Sequence, residues 1–141
     1  MKATVRWEGD AKFRATAAGS GAGILMDGPA DMGGTNAGPR PMETVLMGMG
    51  GCSSIDVVYI LKKARQDVTG CIAEIEAERA PEPPQVFTKI HLHFIVSGRA
   101  LKENQVKRAV ELSAEKYCSA SIMLARGGVD ITHSYEVREA E

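Results

Sequence analysis

Three cysteines carry the most reactive side chains of this 141-residue chain: Cys52, Cys71 and Cys118. Their number is odd and no Cys-x-x-Cys occurs. Neither a disulfide framework nor a zinc ribbon or thioredoxin-type motif is therefore implied. In a reducing compartment the remaining choices are buried filler, metal ligand or reactive thiol. Cys52 closes the run Met47-Gly-Met-Gly-Gly-Cys. A glycine inside a helix costs about 1 kcal/mol relative to alanine, so something must require these. Gly48 and Gly51 fall one turn apart with Gly50 beside them, and small residues there admit a close backbone or a ligand. Two readings stand for Cys52: an inert thiol buried by tight packing, or a thiol at the floor of an open notch. Cys118 falls at a break between two helical stretches. A helix start lowers a thiol's pKa through its free N–H groups and makes it nucleophilic; the alternative is a small apolar filler. Two thiols in separate core helices could form a redox pair, and spacing leaves open whether these two meet. Cys71 opens a strand with an apolar face and reads as core.

Other candidates are weaker. His91-x-His93 points to one side of a strand and could edge a metal site, but no third ligand is adjacent. Solvated strand residues are the plainer reading, and no metal or other cofactor is expected. His133 lies on an apolar strand face and reads as a hydrogen-bonded core or interface histidine. Glu43, in a first helical turn, complements the helix dipole. It precedes Cys52 by about two and a half turns, on a different face. Arg14 and Lys12 are candidate cations for a thiolate, with ordinary strand surface charge as the alternative.

The elements that must position these residues follow from pattern. Thr4–Trp7, Lys12–Ala17 and Ile24–Met26 read as a three-stranded antiparallel sheet over residues 1–26, turned by "EGD" and "GSGAG". Residues 27–41 form a long loop rich in Gly, Pro and Asp, and loops of this length are often functional. Pro41 then opens a central helix over residues 42–66. From Val45 to Leu61 it is apolar on nearly every face apart from Ser53, Ser54 and Asp56, which suggests that a second subunit covers part of it. After Gly70, Cys71, Ala73, Ile75 and Ala77 alternate with glutamates in a half-buried strand. Phe87–Val96 is its antiparallel partner. An amphipathic helix through Val106, Ala109, Val110, Ala114 and Tyr117 leads to a short apolar helix or turn at Ser119–Leu124, and Val129–Val137 is a last strand. Residues 71–141 are thus a ββααβ half. Strands and helices are segregated, so the class is α+β in one domain, 1–141.

Composition narrows the partners. The chain is 44% hydrophobic but only 5% aromatic, with 17 basic against 18 acidic residues and a net charge of −1. No basic stripe points to nucleic acid. No signal-peptide core is visible and no run reads as a membrane span, so a cytoplasmic protein is expected.

"GPRPMETVLMGMGGCSSIDVVYILKKARQDV", with "AVELSAEKYCSASIML" and the terminal "VDITHSYEV", resembles the OsmC/Ohr superfamily (osmotically induced protein C and organic hydroperoxide resistance), in its YhfA-like branch. The likeness covers essentially the whole chain. It implies an intertwined homodimer with two central helices packed against antiparallel sheets, and active sites at the interface. It also implies roles: Cys52 attacks a hydroperoxide and becomes a sulfenic acid, and Cys118 resolves it as a disulfide that a dithiol reduces. The peroxidase members carry Asn-Pro-Glu before the helix, and that Glu helps hold a catalytic Arg. Here the stretch is Arg40-Pro41-Met42-Glu43, which moves the carboxylate of Glu43 about 100° around the helix. The Gly-Gly-Arg turn is replaced by "EGDAK", with Arg14 or Lys12 as the substitute cation.

The expectation is a cofactor-free thiol peroxidase for organic hydroperoxides, with Cys52, Cys118, Glu43 and Arg14 in its site. Its partners are a second copy of the chain, a hydroperoxide and a dithiol reductant. The rival expectation is a non-catalytic module binding a small apolar or thiol-reactive ligand at the dimer interface. A different cysteine chemistry, such as group transfer, is a third.

Overall fold

A computed structural model describes residues 1–141, as two compact units, Met1–Met47 and Gly48–Glu141. In the first, β1 (Ala3–Trp7), β2 (Lys12–Ala17) and β3 (Gly23–Asp27) form an antiparallel meander, with Arg6 opposite Arg14 and Arg14 opposite Leu25. The β2–β3 turn needs a left-handed residue, and Gly21 supplies it at φ 74°. The loop after β3 is not shapeless. It contains a 3₁₀ turn at Ala30–Met32 and is pinned by Asp27, whose side chain is buried. The Asp27 carboxylate accepts from the amides of Gly28 (2.9 Å), Thr35 (2.9 Å) and Ala37 (3.1 Å), and from the Thr35 hydroxyl (3.3 Å). These amides hold its pKa below the ordinary carboxylate value. Gly34 is required there because a Cβ would run into the Gly28 carbonyl.

Helix α1 (Pro41–Lys63) begins in the first unit and runs into the second. Proline occupies its first turn, and the Glu43 carboxylate accepts from the Arg40 amide at 2.9 Å, one half of a capping box. The helix stops at Lys63, three residues before the expected end at Gln66. Arg65 adopts φ 59°, and the amides of Arg65 and Gln66 donate back to Lys62 and Leu61 at 3.0 Å. This is a Schellman ending built on arginine, where sequence offered no glycine to mark it. Strand β4 (Asp67–Arg79) therefore starts four residues before Cys71. Gly70, read from sequence as a break, lies inside it at a β-bulge.

In the second unit β4 pairs antiparallel with β5 (Phe87–Arg99), as expected, with Ile75 opposite Leu92. Strand β6 (Asp130–Glu139) adds parallel to β5, so this sheet is mixed where antiparallel sheets were expected. A parallel neighbour needs a crossover. It is supplied by α2 (Glu103–Leu112), a π-helical turn at Ser113–Tyr117 and α3 (Ser119–Arg126). The sheet's inner face carries Ile90, Leu92, Phe94 and Val96, all fully buried, and Val106, Ala109 and Val110 of α2 are buried with them. The fold class is α+β, as the sequence implied.

Only a stripe of α1 is buried: Met49, Gly50, Ser53, Val57 and Leu61. Val45, Met47, Ile55 and Tyr59 are exposed, by 41, 56, 71 and 61%. By length and composition alone, with a mean hydropathy of 1.5 over its most apolar 18 residues, α1 passes for a membrane span, a test that the core helix of a globular domain also passes. Its polar residues instead hydrogen-bond to the crossover.

Candidate functional site

Cys52, Ser53 and Asp56 all lie on α1, with Cys52 and Asp56 one turn apart and so on one face. Facing them is the crossover. The π-helical turn closes with the Cys118 amide donating to the Ser113 carbonyl at 2.8 Å, which leaves Cys118 extended (φ −73°, ψ 102°) as the N-cap of α3. Local insertions of this kind re-aim side chains and are frequent at functional sites. Here Cys118 is turned into α1 and fully buried.

Its sulfur is surrounded by donors. The Ser53 Oγ lies 3.0 Å from it, and the Ser121 amide donates to it at 3.4 Å. Ser53 and Ser121 hydroxyls lie 3.3 Å apart. Ser113 Oγ donates to the Ser53 carbonyl (3.2 Å) and lies 3.4 Å from Asp56 Oδ2. Burial alone pushes the Cys118 pKa up. The hydroxyls of Ser121 and Ser53, the Ser121 amide and the Cys52 thiol outweigh it and bring the pKa below that of a free cysteine. The buried polar residues of the second unit are Ser53, Ser113 and Ser121, all gathered around Cys118. A hydroxyl cluster buried in an otherwise apolar core is there to satisfy something polar.

The two sulfurs and a carboxylate oxygen of Asp56 lie within 4.8 Å of one another. Cys52 and Cys118, which sequence spacing left unrelated, therefore meet. Cys52 is partly accessible. Asp56 also lines a cavity of about 550 Å³ with Tyr59, Ile60, Lys63, Arg108 and Tyr117; neither cysteine lines it.

The remaining sequence candidates are placed elsewhere. Arg14 forms an ion pair with Glu8 across the first hairpin (2.6 Å), Lys12 lies 3.7 Å from Asp10, and Glu43 serves as the cap of α1. All lie in the first unit, as does Arg40, whose Nη1 is buried without a partner. Cys71 is part-buried with its pKa raised by burial, partly offset by Ser54. His91 bonds to Thr132 (2.6 Å) and Ser134 (2.8 Å), and His93 to Ser134 (2.7 Å) and Glu136 (3.2 Å). This ladder exists because β6 runs parallel beside β5. His133 stacks on Phe94 with ring centroids 6.5 Å apart, but its buried Nε2 has no hydrogen-bond partner, against the expectation of a bonded histidine.

Sequence reasoning missed Asp56, Ser53, Ser113 and Ser121. The available signal was polar side chains interrupting the apolar run of α1, and the i, i+4 spacing of Cys52 and Asp56.

Residues 34–134 match the family described as OsmC-like protein. The chain is 54% identical to Protein YhfA of Escherichia coli K12 over 137 residues, covering 97% of this chain and 98% of that one. A crystal structure of a hypothetical protein from Aquifex aeolicus superposes with a TM-score of 0.85 at 27% identity, over 99% of this chain and 97% of that one. An organic hydroperoxide resistance protein OsmC from Legionella pneumophila does so with a TM-score of 0.71 at 18% identity, over 96% of this chain and 97% of that one.

Proposed function

The chain belongs to the OsmC-like protein family, and from that premise we propose that it is a cofactor-free thiol peroxidase for organic hydroperoxides, with Cys52 and Cys118 as its redox pair. The observation that carries this reading is the approach of the two sulfurs to within 4.8 Å inside a buried hydroxyl cluster. The name of the Legionella relative, organic hydroperoxide resistance protein, points to the same substrate class.

Accessibility divides the roles. The Cys52 thiolate, on the partly accessible side, attacks one peroxide oxygen. The O–O bond breaks, the alcohol leaves with a proton, and Cys52 is left as sulfenic acid. The Cys118 thiolate then attacks the Cys52 sulfur and expels hydroxide, which takes a proton from solvent to become water, giving the disulfide. A depressed pKa suits this resolving thiol twice. A larger fraction of it is thiolate when the sulfenic acid forms, and it is the better leaving group when an incoming dithiol attacks Cys52 Sγ. Arg14, paired with Glu8, and Glu43, the cap of α1, are assigned no step in this scheme.

The exposed apolar face of α1, through Val45, Met47, Ile55 and Tyr59, supports a homodimer. Sedimentation should give twice 15.1 kDa. A second reading, a binding module without turnover, draws on the cavity at Asp56, whose lining includes Lys63 and Arg108. Cumene hydroperoxide added stoichiometrically to the reduced protein separates the two. The expected result is loss of two thiols and a Cys52–Cys118 disulfide in the peptide map. In Cys118→Ser, sulfenic acid should be trapped on Cys52. Three free thiols after prolonged exposure would end the peroxidase reading, and trapping on Cys118 in Cys52→Ser would reverse the roles.

A further inference from the structure

We propose that Cys52, Asp56 and Cys118 form a three-ligand site for a thiophilic divalent cation, with Zn²⁺ the best chemical match. The proposal rests on the ligand geometry and not on peroxide turnover. The two sulfurs and a carboxylate oxygen already lie within 4.8 Å of one another. Around a tetrahedral zinc, with bonds of about 2.3 Å to sulfur and about 2.0–2.2 Å to oxygen, such atoms stand roughly 3.5–3.8 Å apart. The contraction needed is about 1 Å. Cys52 and Asp56 stand at i and i+4 of α1, the spacing by which one helix face offers two ligands to a single ion. Cys118 reaches in from the opposite element at the N-cap of α3.

The donor set decides the ion. Two thiolates select a soft or borderline metal and reject Mg²⁺ and Ca²⁺, which take oxygen ligands. Supporting contacts of the kind metal sites need are in place. Ser113 Oγ lies 3.4 Å from Asp56 Oδ2, and the Ser53 hydroxyl and Ser121 amide orient the Cys118 sulfur. Three protein ligands leave the fourth tetrahedral position open to water, the arrangement of accessible rather than purely structural zinc. Asp56 also lines the 550 Å³ cavity, which would admit that water from the carboxylate side. Binding forms two Zn–S bonds and one Zn–O bond and releases the two thiol protons, with no change of oxidation state.

The test is anaerobic titration of reduced, chelator-dialysed protein with Co²⁺, followed by Zn²⁺. The expected result is one equivalent of cobalt, with a thiolate-to-cobalt charge-transfer band and tetrahedral d–d bands that Zn²⁺ bleaches. Cys52→Ser and Cys118→Ser should each lose the charge-transfer intensity of one thiolate and bind far more weakly. Asp56→Asn keeps both thiols and the side chain's shape, and should weaken binding at least tenfold. Ser113→Ala should cost about 10–100-fold. Circular dichroism of each variant checks folding. Absence of the band in wild type overturns the proposal. So does unchanged affinity in Asp56→Asn, or in the cysteine variants, where binding at His91 and His93 would account for it. Peroxide consumption by the metal-free protein is read separately, so failure of the redox reading leaves this result standing, and the reverse.

Discussion

Ser53→Ala is the sharpest perturbation of the thiol site. The Ser53 Oγ lies 3.0 Å from the fully buried Cys118 sulfur, and its proton stabilises the thiolate more than the thiol. A hydrogen bond to a charged group is worth about 1.5–3 kcal/mol. At about 1.4 kcal/mol per pKa unit, its loss should raise the Cys118 pKa by roughly 1–2 units. Alanine leaves burial unchanged, so nothing offsets the rise, and the Ser121 hydroxyl and amide remain to hold part of the depression. Two interacting sulfurs titrate as a pair, so the comparison belongs in a Cys52→Ser, Cys71→Ala background where Cys118 stands alone. Thiolate ultraviolet absorbance followed against pH gives the value directly. The sign carries into stability. A depressed thiol stabilises the fold fully above its unfolded pKa, and the contribution is lost as pH falls through the folded pKa. Ser53→Ala should therefore shrink the gain in stability between about pH 7 and pH 9. A pKa that moves by less than about 0.3 unit, or falls, would refute the view that the buried hydroxyls hold a thiolate.

Oxidation of the pair closes a loop of about 65 residues, judged from the separation of Ser53 and Cys118. The chain-entropy relation gives roughly 4 kcal/mol of stabilisation. The disulfide form should thus unfold at clearly higher urea concentration than the reduced form, and equal midpoints would argue against a strain-free bridge. Asp27→Asn sets an amide group against the Thr35 and Ala37 N–H donors, and should raise hydrogen exchange across residues 28–40 while sparing the second unit. Because the Asp27 pKa is depressed, its contribution is present above the ordinary carboxylate value and is lost as pH falls through the folded value; local opening of this loop in wild type should rise only below the ordinary carboxylate value. His133 is held neutral, its pKa lowered first by burial and then by His91. Its contribution is full above the unfolded value of about 6.5 and is lost as pH falls below it. His133→Phe should flatten the change in urea midpoint between about pH 7.5 and pH 5, and an unaltered slope would exclude His133 as its source.

Much of this was legible in the sequence because it rested on local pattern. Alternation named the inner face of β4 residue by residue, and Pro41 with Glu43 marked the start of α1. The end of α1 was not legible, since Arg65 takes a left-handed conformation that composition does not advertise in arginine. Parallel pairing of β6 was equally hidden, because alternation reports which face a residue occupies and not which way a neighbour runs. That pairing is what gives His91 and His93 their partners. The same limit applies to the site. Cys52 and Cys118 could be nominated singly, but their meeting depends on a π-helical turn whose only trace in sequence is an unremarkable "SAEKY". Ser53, Ser113 and Ser121 read as minor interruptions until burial showed what they surround.

The crossover that brings Cys118 to α1 also sets a schedule. The chain is made from its N-terminus, and Cys118 follows Ser53 by 65 residues. At about 5–20 residues per second, Cys52 exists for roughly 3–13 s before its partner has been synthesised. On the proposed reading it has no resolving thiol through that interval, and any sulfenic acid formed on it is open to irreversible oxidation. The β4–β5 hairpin can form meanwhile from neighbouring segments, whereas β6 must wait for the whole crossover. Chemical protection of Cys52 is therefore among the last properties a new chain acquires. A nascent chain is most vulnerable to the very oxidants that the finished protein is proposed to remove.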